Sequence, residues 1–192
     1  MSPLVRDAIG AAGLTDVLEA RLRGAAPDGA AGRLREADLL VVGALADCIR
    51  ASEAGDEVRI YIREPPLGQA LQASPKGERE LTGSDLLREI ALRRIAGPPN
   101  APVRVDWTRC GLELAQVALC FGADELAGTI ATKRGELIAE GDLLGVGKKS
   151  RHESAREVKR KELAACVRRS GRVPVFVRSD GGVEGVEGDE NP

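Results

Sequence analysis

Asp106, Trp107, Thr108 and Arg109 follow the alternating stretch Val103 to Val105, where a strand would end. An indole and a guanidinium at such a position can stack on or clamp an aromatic or carboxylate ligand. Thr129, after Gly128, stands at the end of the next apolar stretch, and Arg63 follows the stretch Val58 to Ile62. The candidate ligand-binding residues are therefore Arg63, Asp106, Trp107, Arg109 and Thr129. The plainer alternative is that Trp107 fills the end of the sheet and Arg109 is solvated.

Other chemistry is poorly supplied. Asp124 and Glu125 are adjacent, and adjacent strand residues point to opposite faces, so they suit a helix-to-strand turn better than an acid/base pair. His152 is the sole histidine, which argues against a Ser–His triad or a zinc hydrolase. The four cysteines, Cys48, Cys110, Cys120 and Cys166, show no CxxC and no zinc-like spacing. Across a helix Cys110 and Cys120 would lie about 15 Å apart, so four reduced thiols are expected. No catalytic residue and no metal ligand is assigned. The run from Lys148 to Lys161 sets Lys148, Lys149, Arg151, Arg156, Lys159, Arg160 and Lys161 against two glutamates. Such a run can contact phosphates or simply form a solvated helix face; it has no aromatic residue to stack on bases.

The elements that must position these residues are legible as periodicities. Ser2-Pro3 starts a helix, a cap followed by proline, and helices are expected near 3–10 and 14–23. Gly24 to Gly32 reads as a connection. Leu34, Leu39, Leu40, Leu45 and Ile49 form a helical stripe, with Asp38 capping its main part and Gly55 ending it. Val58, Ile60 and Ile62 alternate as a strand. Residues 64–83, with three prolines and three glycines, read as a long loop. Ser84 is expected to cap a helix that stops at Gly97-Pro98-Pro99. Val103, Val105 and Trp107 then form a strand, Gly111 to Phe121 a helix and Glu125 to Ile130 a strand. A short helix is expected over 133–140, a long one from Ser150 to Arg169, and an extended segment over 173–177, which Pro174 places at a sheet edge.

The chain has 192 residues, 43% hydrophobic and 30% charged, with a net charge of −2. That is one domain's worth of sequence with a single sizeable core. The charge gives no global field for nucleic acid, which is not expected as a partner. No apolar run approaches a membrane span, and MSPLVRDAIG has no signal-peptide core. The cytoplasm is the expected compartment.

Several words of this sequence resemble radical S-adenosylmethionine enzymes of the menaquinone (futalosine) route, aminofutalosine synthase above all. They are Asp38-Leu39-Leu40, Gly43-Ala44-Leu45-Ala46-Asp47 and Arg50; LTGSDLLREIALRRIAG from Leu81; VRVDW from Val103; LAQVALCFGADELAGT from Leu114; and ELAACVRRSGRVPV from Glu162, with Arg178 and Asp180. The likeness covers 34–62 and 81–178, and Gly128-Thr129 with Gly171-Arg172 favour the synthase. The family's CxxxCxxC motif is missing, since no cysteine stands between Cys48 and Cys110. The resemblance implies a [4Fe–4S] cluster and S-adenosylmethionine, but a cluster needs several thiolates together, so no cofactor is expected here.

In a closed eight-stranded β/α barrel the seventh, eighth and first strands are neighbours. If 103–107, 125–130 and 58–62 descend from those three, removing the barrel's middle leaves them side by side. The expected fold is thus α/β: a partial, truncated β/α barrel with a small, mainly parallel sheet and several flanking helices. Residues 1–178 form the domain, with 1–32 a helical lead-in and 64–83 a loop at the deletion site; 179–192 is an acidic, glycine-rich, disordered tail. Open sheet edges invite a homo-oligomer or a larger protein partner. Three readings stay open. One is a non-catalytic pseudoenzyme or accessory protein of the menaquinone route. Another is an enzyme subunit whose cluster site is supplied by another chain. The last is an anion or nucleic-acid binder acting through 148–161.

Overall fold

The computed structural model describes residues 1–62, 71–72, 82–129, 159–178 and 182–184, with 71–72 and 184 as backbone. Arg63, Lys148, Lys149, Arg151, Arg156, His152, the short helix at 133–140 and most of the 64–83 segment lie outside the described residues.

The chain opens with α1 (Pro3–Ala11), capped by the Ser2 hydroxyl, which accepts from Val5 N at 3.3 Å. After α2 (Thr15–Leu22), the stripe expected as one helix divides into α3 (Ala31–Glu36) and α4 (Leu39–Ala54). The break comes at Asp38, whose Oδ1 accepts from Leu40 N at 2.8 Å and restarts the helix as its cap. Strand β1 (Glu57–Tyr61) follows, then the two-residue β2 (Leu71–Gln72) inside the segment expected to be loop. Two residues are too few to show alternation.

Helix α5 (Gly83–Ala96) begins one residue before Ser84, which was expected to cap it. Thr82 is the cap: its Oγ1 accepts from Asp85 N at 3.2 Å while Asp85 Oδ2 accepts from Thr82 N at 3.1 Å, a reciprocal capping box. Strand β3 (Val103–Asp106) stops one residue short, because the Asp106 carboxylate accepts from Thr108 N at 2.8 Å and turns Trp107 into α6 (Trp107–Cys110). Helix α7 (Leu112–Ala118) tightens into a 3₁₀ turn at Leu119–Phe121, then β4 (Glu125–Ala127) follows. The strand expected to reach Ile130 ends at Ala127. Helix α8 is described over 159–169, β5 spans Val173–Val177, and β6 (Val183–Glu184) lies within the segment expected to be a disordered tail.

The strands form one sheet in the order β2-β3-β4-β1-β5-β6. Its centre is the parallel trio β3-β4-β1, with Val105 opposite Leu126 and Leu126 opposite Ile60. The far edges of the trio are taken by β2 beside β3 and β5 beside β1, both parallel. The edge strands are therefore β2 and the antiparallel β6, which covers only Phe176 and Val177 of β5. Below that cover sits Pro174, which has no N–H to offer a further strand. The protein is thus mixed α/β with a small, mainly parallel sheet, and among the described residues no helix is long and apolar enough to cross a membrane.

Alternation sorts the sheet into two faces. Val58, Ile60, Val103, Val105, Leu126 and Phe176 join one core with Val42, Leu45, Ala46 and Ile49 of α4 and Leu86, Leu87, Ile90 and Ile95 of α5. Close approach needs glycine at two points. A Cβ on Gly43 of α4 would meet the Phe121 ring at 2.6 Å. Gly122 has φ 95°, and a Cβ there would meet Arg94 Cβ at 2.9 Å and Ala46 Cβ at 3.0 Å.

Charge is buried in this layer, and it is paired. Arg94 of α5 is 1% exposed. Its Nη2 donates to Asp124 Oδ1 at 2.6 Å, its Nε to Gly122 O at 2.9 Å, and its Nη1 to Ala101 O at 3.0 Å and Glu53 Oε2 at 3.1 Å. Asp124 Oδ1 also accepts from Val103 N at 2.6 Å. Burial pushes the Asp124 carboxyl above its ordinary range against the pull of Arg94. Glu53 is shared with Arg21 of α2, whose Nη1 donates to Gly97 O at 2.7 Å. A second clamp joins Asp47 of α4 to Arg50 at 2.8 Å and to Arg172, just before β5, at 2.6 Å.

Gly122→Ala combines a left-handed φ with a filled space, and should cost about 2 kcal/mol or more of stability. Gly13→Ala, at φ 66° with open space around the new methyl, should cost about 1–2 kcal/mol. Urea unfolding of the two variants measures the difference.

Candidate functional site

The face of the sheet opposite the helix core carries polar residues in register. Arg59, Glu125 and Arg104 stand in one row across β1, β4 and β3, and Tyr61, Ala127 and Asp106 in the next row toward the strand ends. Parallel sheets are normally covered on both faces, and in this row Glu125 is 2% exposed and Arg104 8%, while Arg59 at its margin is exposed. Two opposite charges withdrawn from water in this way are stable only as a pair.

The pairing is direct. Arg104 Nε and Nη2 donate to Glu125 Oε2 at 2.9 and 2.5 Å, and the Tyr61 hydroxyl donates to Oε1 at 3.1 Å. The Arg104 guanidinium also lies 4.7 Å from the centroid of the Tyr61 ring, a cation–π contact that reaches across β4. The small Ala127 between Tyr61 and Asp106 leaves β4 without a large side chain in that row. Burial, and then the Glu125 carboxylate, push the Tyr61 phenol above its ordinary value.

The strand-end candidates divide. Asp106 is half-buried, and its Oδ1 accepts from Thr108 N at 2.8 Å and from Thr108 Oγ1 at 2.6 Å. It is a helix cap. Trp107 is 5% exposed and lies so close to Gly128 that a Cβ there would meet the indole at 2.4 Å. Its Nε1 is buried without an acceptor. The indole is packed at the end of the sheet against Gly128. Arg109 and Thr129 are exposed. Asp124 and Glu125 point apart as alternation requires, one into the helix-side network and the other into the polar row. Sequence reasoning missed Tyr61, Arg104 and Glu125 as a group. The available signal was opposite charge at the polar phase of two strands that a parallel sheet buries on both sides.

The cysteines do not converge. All four are free: Cys48 in α4, Cys110 in α6, Cys120 in the 3₁₀ turn and Cys166 in α8. Burial raises each thiol, Cys110 to about 11, away from the thiolate that a metal needs. Among the described residues no three His, Cys, Asp or Glu side chains group as metal ligands. The residues present do not fit the [4Fe–4S] cluster that the resemblance implies.

No family model, no curated protein and no solved structure matches this chain.

Glu125→Gln should destabilise the protein by about 3–5 kcal/mol, because Arg104 keeps a buried charge without its counter-ion. The double replacement Arg104→Met with Glu125→Met should recover much of that loss, since it removes both charges; chemical denaturation of both variants checks the order. Tyr61 is the sole tyrosine, so alkaline absorbance titration reads it alone. Its ionisation should fall above that of the unfolded chain. The neutral phenol then contributes stability that is full below the unfolded value near 10 and is lost as pH rises through the folded one.

Proposed function

We propose that this chain is a truncated β/α barrel related to the radical S-adenosylmethionine enzymes of the menaquinone route. In this reading it acts without catalysis, as a pseudoenzyme or accessory protein working through contacts with other proteins. The observation that carries the reading is the parallel order β3-β4-β1. It brings the chain's first long strand beside two strands from its second half, the adjacency that the two ends of a closed barrel have.

The engagement of the carboxylates supports the non-catalytic half of the reading. General acid–base work needs a carboxylate free to take and return a proton within reach of a substrate. Glu125 is held by Arg104 and Tyr61, Asp124 by Arg94 and Val103 N, and Asp106 by Thr108.

The test is anaerobic reconstitution of the purified chain with iron and sulfide, followed by S-adenosylmethionine and a reductant. The expected result is no cluster absorbance and no 5′-deoxyadenosine, together with a stable complex on size exclusion when an intact radical enzyme of the route is co-expressed. Cleavage by the chain alone would overturn the reading. Cleavage that appears only in the complex and is lost on changing this chain's Arg104 would favour the enzyme-subunit reading.

A further inference from the structure

The face of the sheet away from the helix core changes character across its width. Over β3 and β4 it is charged, with Arg104 beside Glu125. Over β5 it is aliphatic. Phe176 belongs to the helix-side core, so by alternation Val173, Val175 and Val177 stand on the other face. Val183 of β6 is opposite Val177 and shares that face. Val173 is 53% exposed and Val183 63%, while Val175 and Val177 are half-buried. Beside the valines, on β1, Glu57 is level with Val173 and Arg59 with Val175, and both charged residues are exposed. An exposed apolar patch rimmed by polar residues is the mark of a contact surface.

The neighbouring edge is closed to a further strand. Val173 N donates to Asp56 O at 2.9 Å, so the odd-numbered residues of β5 direct their N–H groups at β1 and the even-numbered ones face outward. Of these, Pro174 has no N–H and Phe176 is paired with β6. Strand β6, at two residues, is the kind of short edge that resists extension. On this side of the sheet, contact with another chain falls to the face.

We infer that this face pairs with the same face of a second copy of the chain, across a two-fold axis that crosses the strands between the Glu57–Val173 row and the Arg59–Val175 row. A two-fold contact must be self-complementary, and in this register it is. The axis sets the strands of the two copies antiparallel. Val173 of one copy then meets Val175 of the other, and Glu57 meets Arg59. Moving the axis onto either row would oppose Arg59 to Arg59 or Glu57 to Glu57, and like charges set face to face repel. Charge selects the register and the valines supply the burial. The Glu57–Arg59 contacts lie at the rim, where water remains. This pairing needs the chain alone and stands whether or not the kinship to the radical enzymes does.

Sedimentation velocity of the full chain from about 1 μM to about 1 mM covers the range in which small interfaces dissociate. The expected result is a reversible rise from monomer to dimer mass. V173D sets a carboxylate among the valines and should weaken the dimer about tenfold or more. E57R and R59E, made singly, each oppose like charges at two symmetry-related places and should weaken it about tenfold. E57R and R59E made together restore opposite charges in the same register, and should return the dimer to within about threefold of the unmodified chain. The thermal melting point of each variant at the lowest concentration confirms that the monomer is folded. A chain that stays monomeric throughout overturns the pairing. So does a dimer indifferent to V173D, or one that the double exchange weakens as much as either single reversal. If the chain is monomeric and V173D instead removes a complex with a co-expressed radical enzyme of the route, the face belongs to that protein and not to a second copy.

Discussion

A buried guanidinium holds this fold together. Arg94 projects from α5 and reaches the entry to β3 through Ala101, the entry to β4 through Gly122 and Asp124, and α4 through Glu53. A charge in that position would be costly if any partner were missing, because removing one leaves the rest desolvated and unpaired. It therefore requires two helices and two strand entries to arrive together. Arg21 extends the requirement to α2, which shares Glu53. Hydrophobic burial drives the collapse of α4 and α5 onto the sheet, but burial is non-directional. The fixed fork of a guanidinium and its planar acceptors supply direction, and the spacing they set admits Gly122 and no larger residue without strain.

The words that carry the family resemblance fall largely on this framework. Asp47 and Arg50 form the clamp that Arg172 completes, Gly43 makes room for Phe121, and Gly122 and Asp124 are partners of Arg94. These contacts lie in the helix layer and where the strands begin. At the opposite end the strands finish in a cap made by Asp106 and a tryptophan packed on Gly128.

What could be read in the sequence followed the range of the interaction. The trio β3-β4-β1 was legible because Val58, Ile60, Val103, Val105 and Leu126 alternate with polar residues, and local alternation states which face is buried. The cap of α4 at Asp38 was legible for the same local reason. The cap of α5 was displaced from Ser84 to Thr82, since both are good caps and the carboxylate three residues on, Asp85, decides between them. Trp107 was assigned to a strand by its spacing from Val105; one hydrogen bond from Thr108 N to the Asp106 carboxylate moved it into a helix. The ion pair of the polar row was not legible. Arg104 and Glu125 are 21 positions apart, and the strand register that makes them neighbours is settled by packing on the other face.

The polar row sets a condition on whatever covers it. A face lined by Arg59, Glu125 and Arg104 cannot receive a second apolar helix layer of the kind that covers the first face, because each apolar neighbour would deepen desolvation without offering a hydrogen bond. Glu125 already accepts from Arg104 and Tyr61, and Arg104 already lies over the tyrosine ring. Arg59, the third charge of the row, is exposed to water. The buried pair behind it acts as a rigid, neutral floor. In this row the charge withdrawn from water is paired, and the charge at the margin is left to water.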